Sequence, residues 1–312
     1  MAPESKLLMS RQVIAFVALL AQVALAGCTP RWMSESQSIA AEMTAEAGRV
    51  CRLRVDGAAI RDEAGRRVVL HGANLPTLTE MEASPYKPAD RLRDLADAGA
   101  KIVRLRVADS EITPTFIPGP VTDFVRQANR LGLVVILAWG DTIQAPLNPH
   151  VNDAESWLRL MIDYLKNNPG VWFDPADAIR DASSQRQRAI AQRFVDVARG
   201  YNASNIILIN QPDWLTDPDP NTRQLLSGGN VIYGIDIETM NRYPLDAAPF
   251  MFTRWDNSRV ATDELGIGVI AAQYDPDSTN PSNGATLRRY WQRQAARYPF
   301  DLRDCRSSAP RR

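Results

Sequence analysis

The sequence predicts a (β/α)8 barrel, and three observations predict it. Eight short β-branched runs follow one another between Val68 and Tyr274, each is bounded by Gly, Pro or Asp, and most are separated by amphipathic, helix-like segments. Apolar runs of this kind read as parallel strands buried on both faces and joined by crossover helices. Eight of them suit a closed barrel; an open doubly wound sheet is the alternative, because periodicity does not show closure.

The chain begins with a targeting segment at residues 1–27. Lys6 and Arg11 precede an apolar stretch, Val13 to Leu25, that is short for a membrane span and ends in Leu25-Ala26-Gly27-Cys28. That order resembles the bacterial lipoprotein signal, which implies cleavage before Cys28, a diacylglycerol on its thiol, and a place in the cell envelope, tethered to a membrane and facing the periplasm or cell surface. An ordinary cleaved signal with an incidental cysteine is the alternative. Residues 28–50, rich in Ser, Glu and Ala, read as a tether.

The barrel domain is expected over 51–312. It opens with two short strands around Asp56-Gly57, and a turn at Asp62 to Gly65 leads into the first barrel strand. The eight runs start at Val68, Lys101, Val134, Gly170, Asn205, Asn230, Pro249 and Ile267, at spacings of 33, 33, 36, 35, 25, 19 and 18 residues. The first five spacings leave room for a helix; the last two do not, so the sixth and seventh helices are expected to be stunted. Cys51 and Cys305 bracket the barrel, and an oxidising compartment would let them bridge its ends.

Charge narrows the partners. Lys+Arg and Asp+Glu are both 36, which gives no electrostatic reason to expect nucleic acid. The only histidines, His71 and His150, lie far apart and beside no Cys or His cluster, so neither a metal site nor a Ser-His-Asp triad is expected. With no dinucleotide fingerprint or phosphate-cradling loop either, no cofactor is expected.

Several segments together resemble glycoside hydrolase family 5, the cellulase family of clan A barrels. The opening hairpin leads into His71-Gly72-Ala73-Asn74, which is similar to the family's R-G-x-N motif. RLRDLADAGAKIVRLRV resembles its first helix and second strand, with Arg104 where the family keeps an arginine, and WLRLMIDYLKNNPGVWFD resembles the approach to its fourth strand. The likeness runs over roughly residues 51–298 and implies a polysaccharide or oligosaccharide as ligand.

The resemblance also implies two glutamates, an acid/base on the fourth strand and a nucleophile on the seventh. In the register set by Val171 to Asp174, the family's Asn-Glu-Pro falls on Asp177-Ala178-Ile179, so the acid/base position is Ala178. On the seventh run the nucleophile position is Arg254, which stays protonated and offers only donors. A rival register places Asn210-Gln211-Pro212 on the motif, and Glu264 is a further candidate nucleophile; neither restores both glutamates.

The expectation is therefore a glycosidase-like envelope lipoprotein that is catalytically inactive and binds or helps handle a polysaccharide. One alternative is an active glycoside hydrolase with displaced carboxylates, Asp177 with Asp236 or Glu238; another is a structural envelope protein with a protein-binding surface. Candidate ligand-binding residues are Asn74, Arg104, Trp139, Asp174, Trp214, Arg254 and Trp255, the polar ones for hydroxyl groups and the tryptophans for stacking on sugar faces.

Overall fold

The computed structural model describes residues 50–108, 111, 117–139, 142–144, 148–180, 182–245, 248–255, 268–271 and 281–304. Eight parallel strands close into a barrel: β4 (His71–Leu75), β5 (Ile102–Val107), β6 (Val134–Trp139), β8 (Val171–Asp174), β10 (Ile207–Asn210), β11 (Val231–Asp236), β12 (Phe250–Trp255) and β13 (Gly268–Ala271). Pairing of β13 with β4, Val269 opposite His71, completes the ring and excludes the open sheet. α-Helices cover the first four crossovers, α1 (Leu78–Ala83) and α2 (Pro88–Asp97), α3 (Thr122–Arg130), α4 (Asn148–Leu165) and α5 (Ser184–Gly200), and α6 (Pro281–Arg297) follows the last strand. Among the described residues no helix is long and apolar enough to cross a membrane.

Three details differ from the sequence expectation. The fifth crossover, from β10 to β11, has no α-helix, only a 3-10 turn over Asp213–Thr216. The spacing leaves room for a helix, but Pro212, Pro218 and Pro220 remove donors and push their predecessors out of the helical region. The sixth crossover holds a 3-10 turn at Ile237–Arg242, in keeping with a stunted helix, and the seventh lies outside the described residues. Val68 belongs not to the first barrel strand but to the third strand of a small antiparallel sheet, β1 (Arg54–Asp56), β2 (Ala59–Arg61) and β3 (Arg67–Val68). Thirdly, a strand pair that no sequence signal predicts follows β8: β9 (Ala178–Arg180) pairs in parallel with β7 (Thr142–Gln144), Thr142 opposite Ala178.

The small sheet seals the barrel floor. Val55, Ile60 and Val68 lie opposite one another across it, and they pack with Leu70, Ile102, Ile136, Trp172, Leu208 and Met251, the inward side chains of the barrel's lower half. Leu302 joins this cluster, and its carbonyl accepts from the Cys51 amide at 2.7 Å, so both ends of the described chain meet at the floor. Cys51 is buried and disulfide-bonded, and Cys305 lies outside the described residues.

Candidate functional site

Strand periodicity carries the interior from apolar to polar. Ile102, Trp172, Leu208 and Met251 point into the floor cluster, and two residues further along each strand the same face presents Arg104, Asp174, Asn210 and Thr253. With Asn74 at the end of β4 they form one network at the mouth, where barrels of this type build their sites.

Arg104 is the hub. Its Nε donates to Asp174 Oδ2 at 2.6 Å, one terminal nitrogen to Asn74 Oδ1 at 3.2 Å, and the other to Asp177 Oδ1 at 3.3 Å. Asn74 Nδ2 in turn donates to the Thr253 carbonyl at 2.9 Å, and Asn210 Nδ2 donates to Asp174 Oδ2 at 2.8 Å. Gly234 makes room for this arrangement, since a Cβ there would stand 2.1 Å from Asn210 Oδ1. Nearer the rim, Gln211 Nε2 reaches Asp236 Oδ2 at 3.4 Å from a backbone held at φ 47°, a left-handed conformation that is unusual before proline.

The two ends of the central ion pair feel opposite balances. Burial pushes the Asp174 carboxyl up to about 6, against the pull of Arg104 and the Asn210 amide. The Arg104 guanidinium is also desolvated, yet two carboxylates hold it above its ordinary value. The pair is therefore charged above pH 6, with the cost of desolvation falling on Asp174. Along the rim, burial first and Asp213 second raise the Tyr243 phenol well above its usual range, and its hydroxyl donates to Asp213 at 3.1 Å, tying the fifth loop to the sixth.

The candidate residues separate into three groups. Asn74, Arg104 and Asp177 converge at the mouth and keep some exposure, 12% for the Arg104 side chain and 21% for Asp177. Asp174, Trp139 and Trp214 are buried instead, at 0%, 2% and 1% exposure. Asp174 thus supports Arg104 from below, and Trp214 donates its indole N–H to the Gln224 carbonyl and packs edge-on to Tyr233. The backbone of Arg254 and Trp255 closes the seventh strand, while their side chains, with Cys28 and Glu264, lie outside the described residues.

Of the displaced carboxylates, Asp236 is half-buried at the end of β11 and Glu238 is exposed on the 3-10 turn after it. Asn210-Gln211-Pro212 stands at the end of the fifth barrel strand and Asp177-Ala178-Ile179 after the fourth, so the two registers place the motif on different strands. Sequence reading missed Asn210; the parity of Leu208 as a core residue was the signal that would have found it. His71, at the opposite end of its strand, meets Tyr290, and His150 lies on α4. Among the described residues no group of three or more His, Cys, Asp or Glu side chains is placed to hold a metal ion.

Residues 62–235 match the model of the cellulase family, glycosyl hydrolase family 5. Endoglucanase A of Butyrivibrio fibrisolvens is 25% identical over 193 residues, which are 58% of this chain and 44% of that protein. Endoglucanase N of Pectobacterium atrosepticum is 24% identical over 186 residues, 55% of this chain and 41% of the relative, so the chain spans less than half of both. The fold matches a β-glucanase from Saccharophagus degradans with a TM-score of 0.67 at 14% identity, covering 78% of this chain and 94% of that one. The catalytic domain of a Thermobifida fusca endoglucanase superposes with a TM-score of 0.62 at 17% identity, over 79% of this chain and 99% of the other. With its barrel closed in the same way and more than half its length matched by the family model, the chain belongs to the cellulase family, glycosyl hydrolase family 5.

Proposed function

We propose that this glycosidase-like protein binds a β-linked oligosaccharide or polysaccharide at the barrel mouth without hydrolysing it by the family's retaining mechanism. The observation that carries the reading is Ala178: it follows the fourth barrel strand, its side chain is 1% exposed, and its backbone is paired in the β7–β9 ribbon. Retaining hydrolysis needs a carboxyl there to protonate the leaving oxygen and a second carboxylate about 5–5.5 Å away to attack the sugar. Asp174 and Asp177 are both held in ion pairs by Arg104. The β-glucanase of S. degradans and the T. fusca endoglucanase were each captured with cellotetraose, which supports a cello-oligosaccharide as the first ligand to test.

Calorimetric titration with cellotetraose, beside turnover of aryl β-cellobiosides, separates the readings. Binding that Asn74→Ala weakens, with no turnover above background, is expected. Robust turnover abolished by Asp177→Asn or Glu238→Gln sinks the inactive reading and establishes the displaced-carboxylate enzyme. An open but inert mouth that binds no glycan supports a structural role instead.

The chain is further inferred to be an envelope lipoprotein acylated at Cys28, because basic, apolar and Leu-Ala-Gly-Cys segments occur in the order that signal requires. Mass spectrometry of the mature protein is expected to find diacylglycerol on Cys28 and nothing upstream; a soluble form starting elsewhere overturns it. Cys305 is inferred to be the partner of Cys51, since it follows Leu302 by three residues and Leu302 bonds to the Cys51 backbone. Peptide mapping without reductant reads that pairing directly.

A further inference from the structure

The polar network at the mouth rests on one buried carboxyl whose hydrogen bonds are one-sided. Asp174 Oδ2 accepts twice, from Arg104 Nε at 2.6 Å and from Asn210 Nδ2 at 2.8 Å. Its Oδ1 is buried with no hydrogen-bond partner among the described residues, and Asn210 Oδ1 is buried in the same condition. Two side chains that bond to each other thus present two buried acceptors with no donor to either. Desolvated acceptors without donors are costly, and the group able to change that is the carboxyl, which becomes a donor when it is protonated.

The charges that face this carboxyl come from two elements. Arg104 reaches it from β5, and Asp177 stands on the chain that follows its own strand. Asn210 on β10 and Ala138, opposite Asp174 on β6, carry no charge, and Asp236 on β11 bonds to Gln211 nearer the rim. Burial outweighs the pull of Arg104 and brings protonation up to about 6.

Arg104 carries the consequence to the open side of the mouth. While Asp174 is ionised, its charge-assisted bond to Nε holds the guanidinium plane where one terminal nitrogen meets Asn74 and the other meets Asp177. Protonation removes one of the two counter-charges and leaves Asp177, 21% exposed, as the one carboxylate paired with Arg104. The guanidinium is then drawn toward Asp177 and away from Asn74.

We propose that Asp174 is a positioning residue and a proton switch for glycan binding: ionised, it holds Arg104 and Asn74 in the arrangement that takes the sugar, and protonated, it releases them. The proposal rests on the reading that the mouth binds a β-linked glycan. Asp174 is fully buried and acts on the ligand through Arg104 alone. Linkage is reciprocal, so a glycan that favours the ionised carboxyl releases a proton wherever the free site is partly protonated.

The test is calorimetric titration of the protein with cellotetraose from pH 5 to 7, repeated at pH 6 in two buffers of different ionisation enthalpy. Affinity is expected to be about fivefold or more higher at pH 7 than at pH 5, with proton release at pH 6. Asp174→Asn keeps the neutral form at every pH, so it should bind with the low-pH affinity throughout and release no proton. Asn210→Ala removes an amide that donates to the ionised carboxyl, so the midpoint of the profile should move up; this variant carries the test if Asp174→Asn does not fold. Equal wild-type affinity across the range, an Asp174→Asn protein with the wild-type profile or the pH 7 affinity, or a midpoint that Asn210→Ala leaves in place overturns the switch and leaves glycan binding standing. Absence of binding at every pH overturns the glycan reading, and the switch falls with it.

Discussion

Asp174→Asn reads out the buried charge at the centre of the mouth. Asp174 is fully buried, and its Oδ1 has no hydrogen-bond partner among the described residues, so ionising it is costly despite Arg104. Its carboxyl moves from 3.8 to about 6, a shift of about two units, worth on the order of 3 kcal/mol. Because the folded state holds this proton more tightly than the unfolded chain, the stabilisation is complete below about pH 3.8 and is lost as pH rises through about 6. Asparagine keeps the shape and does not titrate. Its absolute stability also reflects a weakened partner for Arg104, so the pH dependence is the readout. Scanning calorimetry of both proteins from pH 4 to 7 should show the variant gaining on wild type by about 6–12 °C in melting temperature. Other titrating groups are common to both and cancel in the difference. Parallel curves, or a variant that falls further behind as pH rises, would refute the assignment of a costly charge to Asp174.

The remaining predictions concern packing, the floor and the disulfide. Gly72→Ala places a Cβ 1.6 Å from the Ile102 carbonyl oxygen, a backbone clash expected to abolish soluble expression, whereas Gly234→Ala meets the Asn210 and Thr253 side chains and should cost about 1–3 kcal/mol, read as a lower urea midpoint. Burial lowers the His71 imidazole from 6.5 to about 3, so its contribution is present above pH 6.5 and lost as pH falls toward 3; His71→Gln should flatten that acid limb in urea titrations across the range. Cys51→Ser should lower stability by about 2–5 kcal/mol, and reductant should do the same to wild type while leaving the variant unmoved.

The barrel was legible because its signal is repetitive. Seven of the eight expected runs contain their observed strand almost unshifted, since β-branched residues flanked by breakers have few other places to go. Val68 was misassigned because the short third strand of the floor sheet runs into β4 after only two residues, with no turn signal between them. The β7–β9 ribbon was illegible: two three-residue strands, more than thirty residues apart, are chosen by the loops that carry them and not by their own composition. At the mouth, the charged residues could be named from strand ends, but which of them face inward depends on register. Asp174 and Trp214 show the difference, one lying beneath Arg104 and the other packed against Tyr233.

The β7–β9 ribbon also bears on what a glutamate at position 178 would meet. A glutamate at position 178 would have to replace a methyl group enclosed on all sides, in a strand whose hydrogen bonds hold its backbone in register with Thr142. Its carboxyl would be desolvated at once, and the added volume would strain the ribbon. Destabilisation is therefore the first expected consequence of that single substitution. Room for that side chain would come only from loop remodelling that unpairs Thr142–Gln144 from Ala178–Arg180, so the ribbon couples the residue at 178 to a loop more than thirty positions away.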